Sequence, residues 1–334
     1  MPVKKGMLYL LCLAFCLCAC GRQRGNGKET RELFAMDTYM TLTVYGEGAD
    51  EALALLAEEI TTLERQFSAA REDGEIGSLN RNGTAELSDE TLTLLRRCLA
   101  LEQQTGSAFC VGMYPVVCLW GFPTGAYRVP TEAEIQAALA KTDLRALQIE
   151  GNCVTLPEGA QLDFGAAAKG YAGQKCAQLL SARGDCAAIL SLGGNVQTVG
   201  IKPDGSKWQV AVQDPFGEGY AAQLAVEGTK SIVTSGSYQR YFEQDGRRYG
   251  HIFDAQTGYP AQSGLASVTV VADDGTLADA LSTALFVMGL EKGTAFWRDT
   301  GGFEAIFITE DGEVYVTSGL AADVTGCTFA EVTP

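Results

Sequence analysis

The sequence predicts an α+β protein, with mixed and largely antiparallel sheets flanked by helices. Strand-like segments come in runs, notably from Ala187 to Val271, and do not alternate strictly with helices; helical periodicity is confined to a few bounded segments. Apolar residues make up 46% of the 334, ample for one large core or two closely packed ones. No internal repeat or low-complexity block breaks the pattern.

The first element is not part of the fold. Lys4 and Lys5 precede an apolar run from Met7 to Ala19 that is too short to span a bilayer, so residues 1–19 are expected to be a secretory signal peptide. The following "LCAC" and Gly21 resemble a bacterial lipobox, which makes Cys20 the expected lipidated N-terminus and places the mature chain on the extracytoplasmic face of a bacterial cell membrane. Cys16, Cys18 and Cys20 mimic a metal-binding spacing, but thiolates in an excised segment have no fold to hold them. Residues 20–32 are expected to be the lipidated end and a tether, because "RQRGNGKET" has no apolar character. A single folded unit is expected over 33–330.

Within it, "LFAMDTYMTLTVYG" has the β-branched and aromatic content of a strand, and "ADEALALLAEEITTLERQF" repeats apolar residues at helical spacing. Residues 68–87 are expected to be loop. Ser88 caps a helix that Gly106 closes, and "TEAEIQAALAK" is a short helix before two short strands at 146–150 and 153–156. "DFGAAAKGYAGQKCAQLLSARG" is a loop entering a helix; "LADALSTALFVMGL" is another helix, and strands close the chain.

Charge and cysteine content exclude some functions. Removing residues 1–19 leaves 23 basic and 41 acidic residues, a net charge of −18 that repels phosphate backbones and anionic headgroups. A nucleic-acid role is therefore not expected, and the membrane is reached by lipid alone. Beyond Cys20 lie Cys98, Cys110, Cys118, Cys153, Cys176, Cys186 and Cys327, an odd number without a C-x-x-C pair. Most are expected to be buried apolar residues, with one disulfide left open.

Four stretches could carry chemistry. In "LDFGAAAKGYAG", Asp163 and Gly165 lead into small residues and a helix start at Lys169 and Gly170, a place suited to an anion, though equally to a plain tight turn. "SLGGNVQTVG" with Asn195 is by itself a glycine-rich turn between strands. Asp279 and Thr283 lie on one helical face in an otherwise apolar segment, where a carboxylate needs a partner or a hard cation; a dipole-favoured aspartate is the commoner case. His251, the only histidine, sits in "RRYGHIFDAQTGYP", where a lone imidazole is more often structural than catalytic.

In order along the chain, these stretches resemble the ApbE-type FAD:protein FMN transferases. The matching blocks are "MDTYMTLTVYG", "EIGSLN", "YPVVCLWGF", "LDFGAAAKGYAG", "LSLGGNVQTVG", "WQVAVQDP", residues 231–260 and "SVTVVADDGTLADALSTALFVMG". The resemblance implies the ApbE-type fold and an enzyme that binds FAD with Mg²⁺ or Ca²⁺ and joins FMN to a threonine or serine hydroxyl of a partner protein, releasing AMP. Met36, Trp120, Gly121, Phe122, Asp163, Lys169 and Ile252 would surround FAD. The metal would take the Ala166 carbonyl, Asp279 and Thr283, and His251 would be the base. The acceptor would be a flavoprotein of extracytoplasmic electron transfer with a motif like D-x-x-[ST]-G-A-[ST]. The chain departs from the family pattern at Ala70 (commonly tyrosine), Ser237 (often an acid), Ala255 (usually proline) and the "GAAAKG" run; none of these removes a ligand or the base, and Ala70 bears on flavin affinity. Two alternatives stand beside it: a metal-dependent FAD pyrophosphatase giving FMN and AMP at the same site, and a non-catalytic flavin- or solute-binding lipoprotein, against which Asp279, Thr283 and His251 in their motif positions weigh.

Overall fold

A computed structural model describes residues 27–184 and 187–334. The expected signal peptide, Cys20 and Cys186 lie outside the described residues. In chain order the first elements are β1 (Lys28–Ala35), β2 (Thr38–Tyr45), α1 (Ala49–Phe67), α2 (Glu75–Asn82), β3 (Thr84–Glu86), α3 (Asp89–Gln104), α4 (Tyr114–Leu119), α5 (Glu132–Leu139), β4 (Gln148–Glu150) and β5 (Cys153–Thr155). Then come α6 (Ala168–Arg183), β6 (Ala187–Ser191), β7 (Asn195–Val199), β8 (Trp208–Gln213), β9 (Tyr220–Val226), β10 (Lys230–Gly236), β11 (Tyr241–Gln244), β12 (Arg247–Gly250) and β13 (Leu265–Ala272). The chain closes with α7 (Gly275–Thr300), β14 (Glu304–Thr309), β15 (Val314–Thr317), β16 (Val324–Thr325) and β17 (Ala330–Val332).

The α+β architecture is present. Nine strands form one sheet in the order β1-β2-β6-β7-β10-β13-β14-β15-β17, antiparallel except where β15 meets β17. Smaller sheets pair β11 with β12, β9 with β8 and β16, and β5 with β3 and β4. Strand β13, "LASVTVVA", is buried at every position because both faces of the large sheet are covered. Val268 and Val270 pack on the side of Leu281 and Leu285 from α7, while Val271 packs on the side of Trp208, Val210 and Leu224 from the β8–β9 sheet. Helix α1 lays Leu53, Leu56 and Ile60 on Leu42 and Val44 of β2 and on Leu180 of α6.

Several boundaries differ from expectation. The stretch read as one strand is a hairpin, β1 and β2 in full antiparallel register, turned at Met36 and Asp37. Both residues have left-handed backbone, φ 49° and 64°, without glycine or proline to announce it. The tether gives way to structure at Lys28, not at Leu33: β1 is an edge strand whose first positions face solvent, so it needs ladder hydrogen bonds but few apolar side chains. Residues expected to be loop contain α2, a two-turn helix too short for periodicity to reveal, anchored by Ile76 and Leu79. Helix α7 runs ten residues beyond the expected Leu290, through a non-helical Gly289 with φ 77°. All six described cysteines are free, but only Cys98 and Cys176 are buried; Cys118 and Cys153 are exposed, so burial does not account for most of them.

The closest helix crossing positions the site. A Cβ on Gly170 of α6 would lie 2.0 Å from the Gly275 carbonyl oxygen and 2.7 Å from Asp279 Cβ of α7. Backbone cannot yield as a flexible side chain does, so Gly170→Ala should destabilise the fold by about 1–3 kcal/mol or more. The measurement is the urea midpoint of the variant against the parent chain; an unchanged midpoint would show that the crossing is slack.

Candidate active site

A cavity of about 850 Å³ opens where the β1–β2 turn, the loop after α1, the start of α6, the β6–β7 turn, the end of β10 and the segment after β12 converge. Strand ends and helix starts supply these walls because there the backbone leaves its ladder and its polar groups become available.

The entry to α6 forms one wall. Asp163 is tied down by its own N–H donating to the Val111 carbonyl (2.8 Å) and by its Oδ1 accepting from Gly165 N–H (2.8 Å). Burial pushes the Asp163 carboxyl above its ordinary range, against the Gly165 hydrogen bond and the charges of Lys169 and Arg240. Lys169 Nζ lies 3.3 Å from the Gly165 carbonyl and pairs with no carboxylate among the described residues.

Helix α7 forms the floor. Asp279 is 3% exposed, and its Oδ2 accepts from Gly170 N–H at 2.8 Å. No lysine or arginine among the described residues forms an ion pair with it. One turn on, Thr283 Oγ1 is 3.2 Å from Ser235 Oγ, which is also 2.8 Å from Ser282 Oγ. With the Ala166 carbonyl on the adjoining wall, the donors here are oxygens with a single carboxylate. A buried carboxylate with one neutral hydrogen bond is costly, and a hard divalent cation is the partner that such a donor set fits. Among the described residues there is no group of three or more His, Cys, Asp or Glu side chains that could hold a metal. The fit therefore depends on hydroxyl and carbonyl oxygens.

His251 stands on the third wall. Its Nδ1 and its backbone nitrogen each lie 3.1 Å from the Arg240 carbonyl oxygen. A carbonyl only accepts, so Nδ1 carries the hydrogen and Nε2 keeps the lone pair. Burial lowers the imidazole pKa to about 4, helped by the charges of Arg240 and Lys169 and opposed by the hydrogen bond. At neutral pH the ring is an uncharged base.

The structure thus brings together Met36, Phe122, Asp163, Ala166, Lys169, His251, Ile252, Asp279 and Thr283, all lining one cavity. Trp120 and Gly121 are the exceptions. The indole of Trp120 is fully buried behind Phe122 and Phe253, donating Nε1–H to the Gly258 carbonyl at 3.0 Å, so it supports the wall without forming it. Gly121 shapes the adjoining turn at φ 85°, where a Cβ would strike the Ala126 carbonyl.

Other lining residues escaped the sequence reading. Glu64 Oε1 accepts from Met36 N–H at 2.9 Å, and Asp37 pairs with Arg240 at 3.3 Å. Asn195, seen before only as part of a turn, has a buried Nδ2 for which the described residues supply no hydrogen-bond partner, and Tyr238 has a buried hydroxyl with only the Gln239 side chain beside it. Both line the cavity, as does Ala70. An orphaned donor such as the Asn195 amide points to a polar ligand.

The profile of the ApbE family matches residues 36–307. The chain belongs to the ApbE family. Among similar proteins, the FAD:protein FMN transferase of Treponema pallidum is 35% identical over 93% of this chain and 92% of its own length. The FAD:protein FMN transferase of Vibrio cholerae is 37% identical over 72% of this chain and 73% of its own length. Of solved structures, the ApbE protein of Thermotoga maritima superposes with a TM-score of 0.84 at 30% identity, covering 89% of this chain and 99% of that one. The apo flavinyl transferase ApbE of Pseudomonas stutzeri gives 0.78 at 31% identity, covering 87% and 95%. The ApbE fold expected from the motifs is therefore the fold observed.

The lowered pKa of His251 makes acid stability a test of its setting. The unfolded chain takes up the proton near pH 6.5 and the folded chain only near 4, so this residue's contribution to stability falls as pH drops through that window. His251→Gln should gain stability relative to the parent when urea unfolding is moved from pH 7 to pH 5. An unchanged difference would place the imidazole in ordinary solvent.

Proposed function

We propose that this ApbE-family enzyme transfers FMN from FAD to a threonine or serine hydroxyl of a partner protein and releases AMP, with Mg²⁺ or Ca²⁺ bound at Asp279, Thr283 and the Ala166 carbonyl. The observation that carries the reading is the uncharged His251 in the same cavity as the buried Asp279, which pairs with no lysine or arginine among the described residues, in a chain similar over most of its length to named FAD:protein FMN transferases. The cavity volume lies within the range of sites that enclose a sizeable ligand.

The chain's own groups divide the work. Met36, Phe122 and Ile252 offer apolar surface for the flavin nucleotide, Asn195 offers an unpartnered amide and Tyr238 a buried hydroxyl, and Lys169 brings positive charge to a phosphate-bearing ligand. His251 Nε2 takes the proton from the acceptor hydroxyl as its oxygen attacks the FMN-side phosphorus. A new P–O bond forms, the pyrophosphate P–O bond breaks, and AMP carries away the electron pair. A bound divalent cation would supply charge neutralisation at the pyrophosphate. Exclusion of water decides whether a protein hydroxyl or water is the acceptor.

The localisation follows the sequence expectation: a bacterial lipoprotein anchored through Cys20 on the extracytoplasmic face, acting on an electron-transfer flavoprotein with a D-x-x-[ST]-G-A-[ST]-like motif. No helix among the described residues is long and apolar enough to cross a membrane.

The direct test incubates the enzyme with FAD, Mg²⁺ and an acceptor protein bearing that motif, and reads protein-bound flavin fluorescence and mass. His251→Ala should retain FAD binding and lose transfer by roughly 100-fold or more, and Asp279→Ala should lose the metal dependence. Free FMN without labelled protein would establish the pyrophosphatase, and intact FAD would establish a binding protein.

The Tyr238 hydroxyl offers a gentler probe. Tyr238→Phe should weaken FAD affinity about three- to tenfold, the value of one net hydrogen bond, with the melting temperature unmoved. Equal affinity in fluorescence-quenching titrations would place the hydroxyl outside the nucleotide contact.

A further inference from the structure

The β1–β2 turn and the histidine segment are far apart in sequence but meet across the mouth of the cavity. Asp37 Oδ2 lies 3.3 Å from the Arg240 guanidinium. Arg240 in turn presents its carbonyl oxygen to both nitrogens of His251, the ring Nδ1 and the backbone N–H. On the other side, Met36 and Asp37 hold left-handed conformations that non-glycine residues keep only when their surroundings fix them. The fixing contacts are Glu64 on Met36 N–H and Arg240 on the Asp37 carboxylate.

We propose that Arg240 is a positioning residue for His251, held in place by its ion pair with Asp37, so that a single link sets both the turn against the flavin nucleotide and the tautomer of the base. The inference rests on the reading of His251 as the base. It adds the connection from that base to the Met36–Asp37 turn.

Exposure argues that the link works through geometry and charge, with little effect on stability. Side-chain exposures of 46% for Arg240 and 72% for Asp37 leave the pair largely in solvent, where ion pairs contribute little to folding. Yet Arg240 has the larger effect of the two cations that act on the imidazole, ahead of Lys169. The Asp37 carboxylate reaches the ring only through Arg240, which it pairs, and Asp163 on the neighbouring wall feels both cations. The Phe122 ring, 6.5 Å away, adds no charge. Removing the cation, or the partner that holds it, should therefore move the histidine in the same direction, by less in the second case.

The chain's single histidine allows a direct reading, because its imidazole nitrogens give one set of NMR resonances in the full-length enzyme. Arg240→Gln should raise the His251 pKa by about one unit or more and lower kcat roughly tenfold or more, with KM for FAD changed much less. Asp37→Asn should free the guanidinium and raise the pKa by less than Arg240→Gln does, while also reducing kcat. Arg240→Lys should restore the parent pKa, since it returns the charge. Melting temperatures of the three variants should stay close to the parent's, separating positioning from unfolding.

Two results would overturn the proposal: a pKa and kcat unchanged in Arg240→Gln, or a pKa that stays raised in Arg240→Lys, which is what simple opening of the cavity to solvent produces. The NMR measurements do not depend on flavin transfer. If the parent enzyme fails to label any acceptor, the function is wrong while the link between Asp37, Arg240 and His251 is still tested.

Discussion

The meeting of two glycines, Gly170 and Gly275, is the constraint on which the site depends. Only residues without a Cβ let α6 and α7 approach until backbone touches backbone, and that approach delivers Gly170 N–H to the Asp279 carboxylate. The same crossing fixes the run from Asp163 to Lys169 over the floor made by α7. Separating the helices by the width of a methyl group would leave a buried carboxylate without its one hydrogen bond, a cost comparable to that of a buried charge deprived of its partner.

Around this crossing, charge is distributed against the character of the whole chain. The protein is strongly acidic, with 41 acidic and 25 basic residues, yet Lys169 and Arg240 both line the cavity and both act on its histidine. Burial first, and these cations with it, keep His251 uncharged where a neighbouring carboxylate would have raised its affinity for protons. An imidazole held in this way is a weak base that is always available, which suits a reaction whose driving force lies in the pyrophosphate bond that breaks.

Long periodic segments were legible in the sequence because a stripe of apolar side chains must match the helix period: α1 occupies the very span expected, and Ser88 accepts from Thr91 N–H at the start of α3 as a capping residue should. The Met36–Asp37 turn was not legible, since the two-residue connection between paired Ala35 and Thr38 takes a left-handed backbone at both positions and neither of them is a glycine. The strand β1 was missed for a related reason: an edge strand draws its stability from ladder hydrogen bonds that every residue can make. In the site, motif order was enough to gather Asp163, His251 and Asp279. It could not tell Phe122, which faces the cavity, from Trp120, which stands behind it, because contact with a ligand and support of a contacting residue leave the same pattern. Asn195 was visible only as part of a glycine-rich turn, and its unpartnered amide is a property of the folded surroundings.

The break at Gly289 divides α7 into two levers on a shared axis. The first half carries Asp279 and Thr283 and is locked by the glycine crossing; the second carries Trp297, whose indole donates to the Phe303 carbonyl at 2.9 Å and so leads into β14. A change in length or angle after the break is absorbed at a residue with no side chain to transmit it. The segment after Gly289 can therefore shift against the first half of α7 while the carboxylate stays where the chemistry needs it.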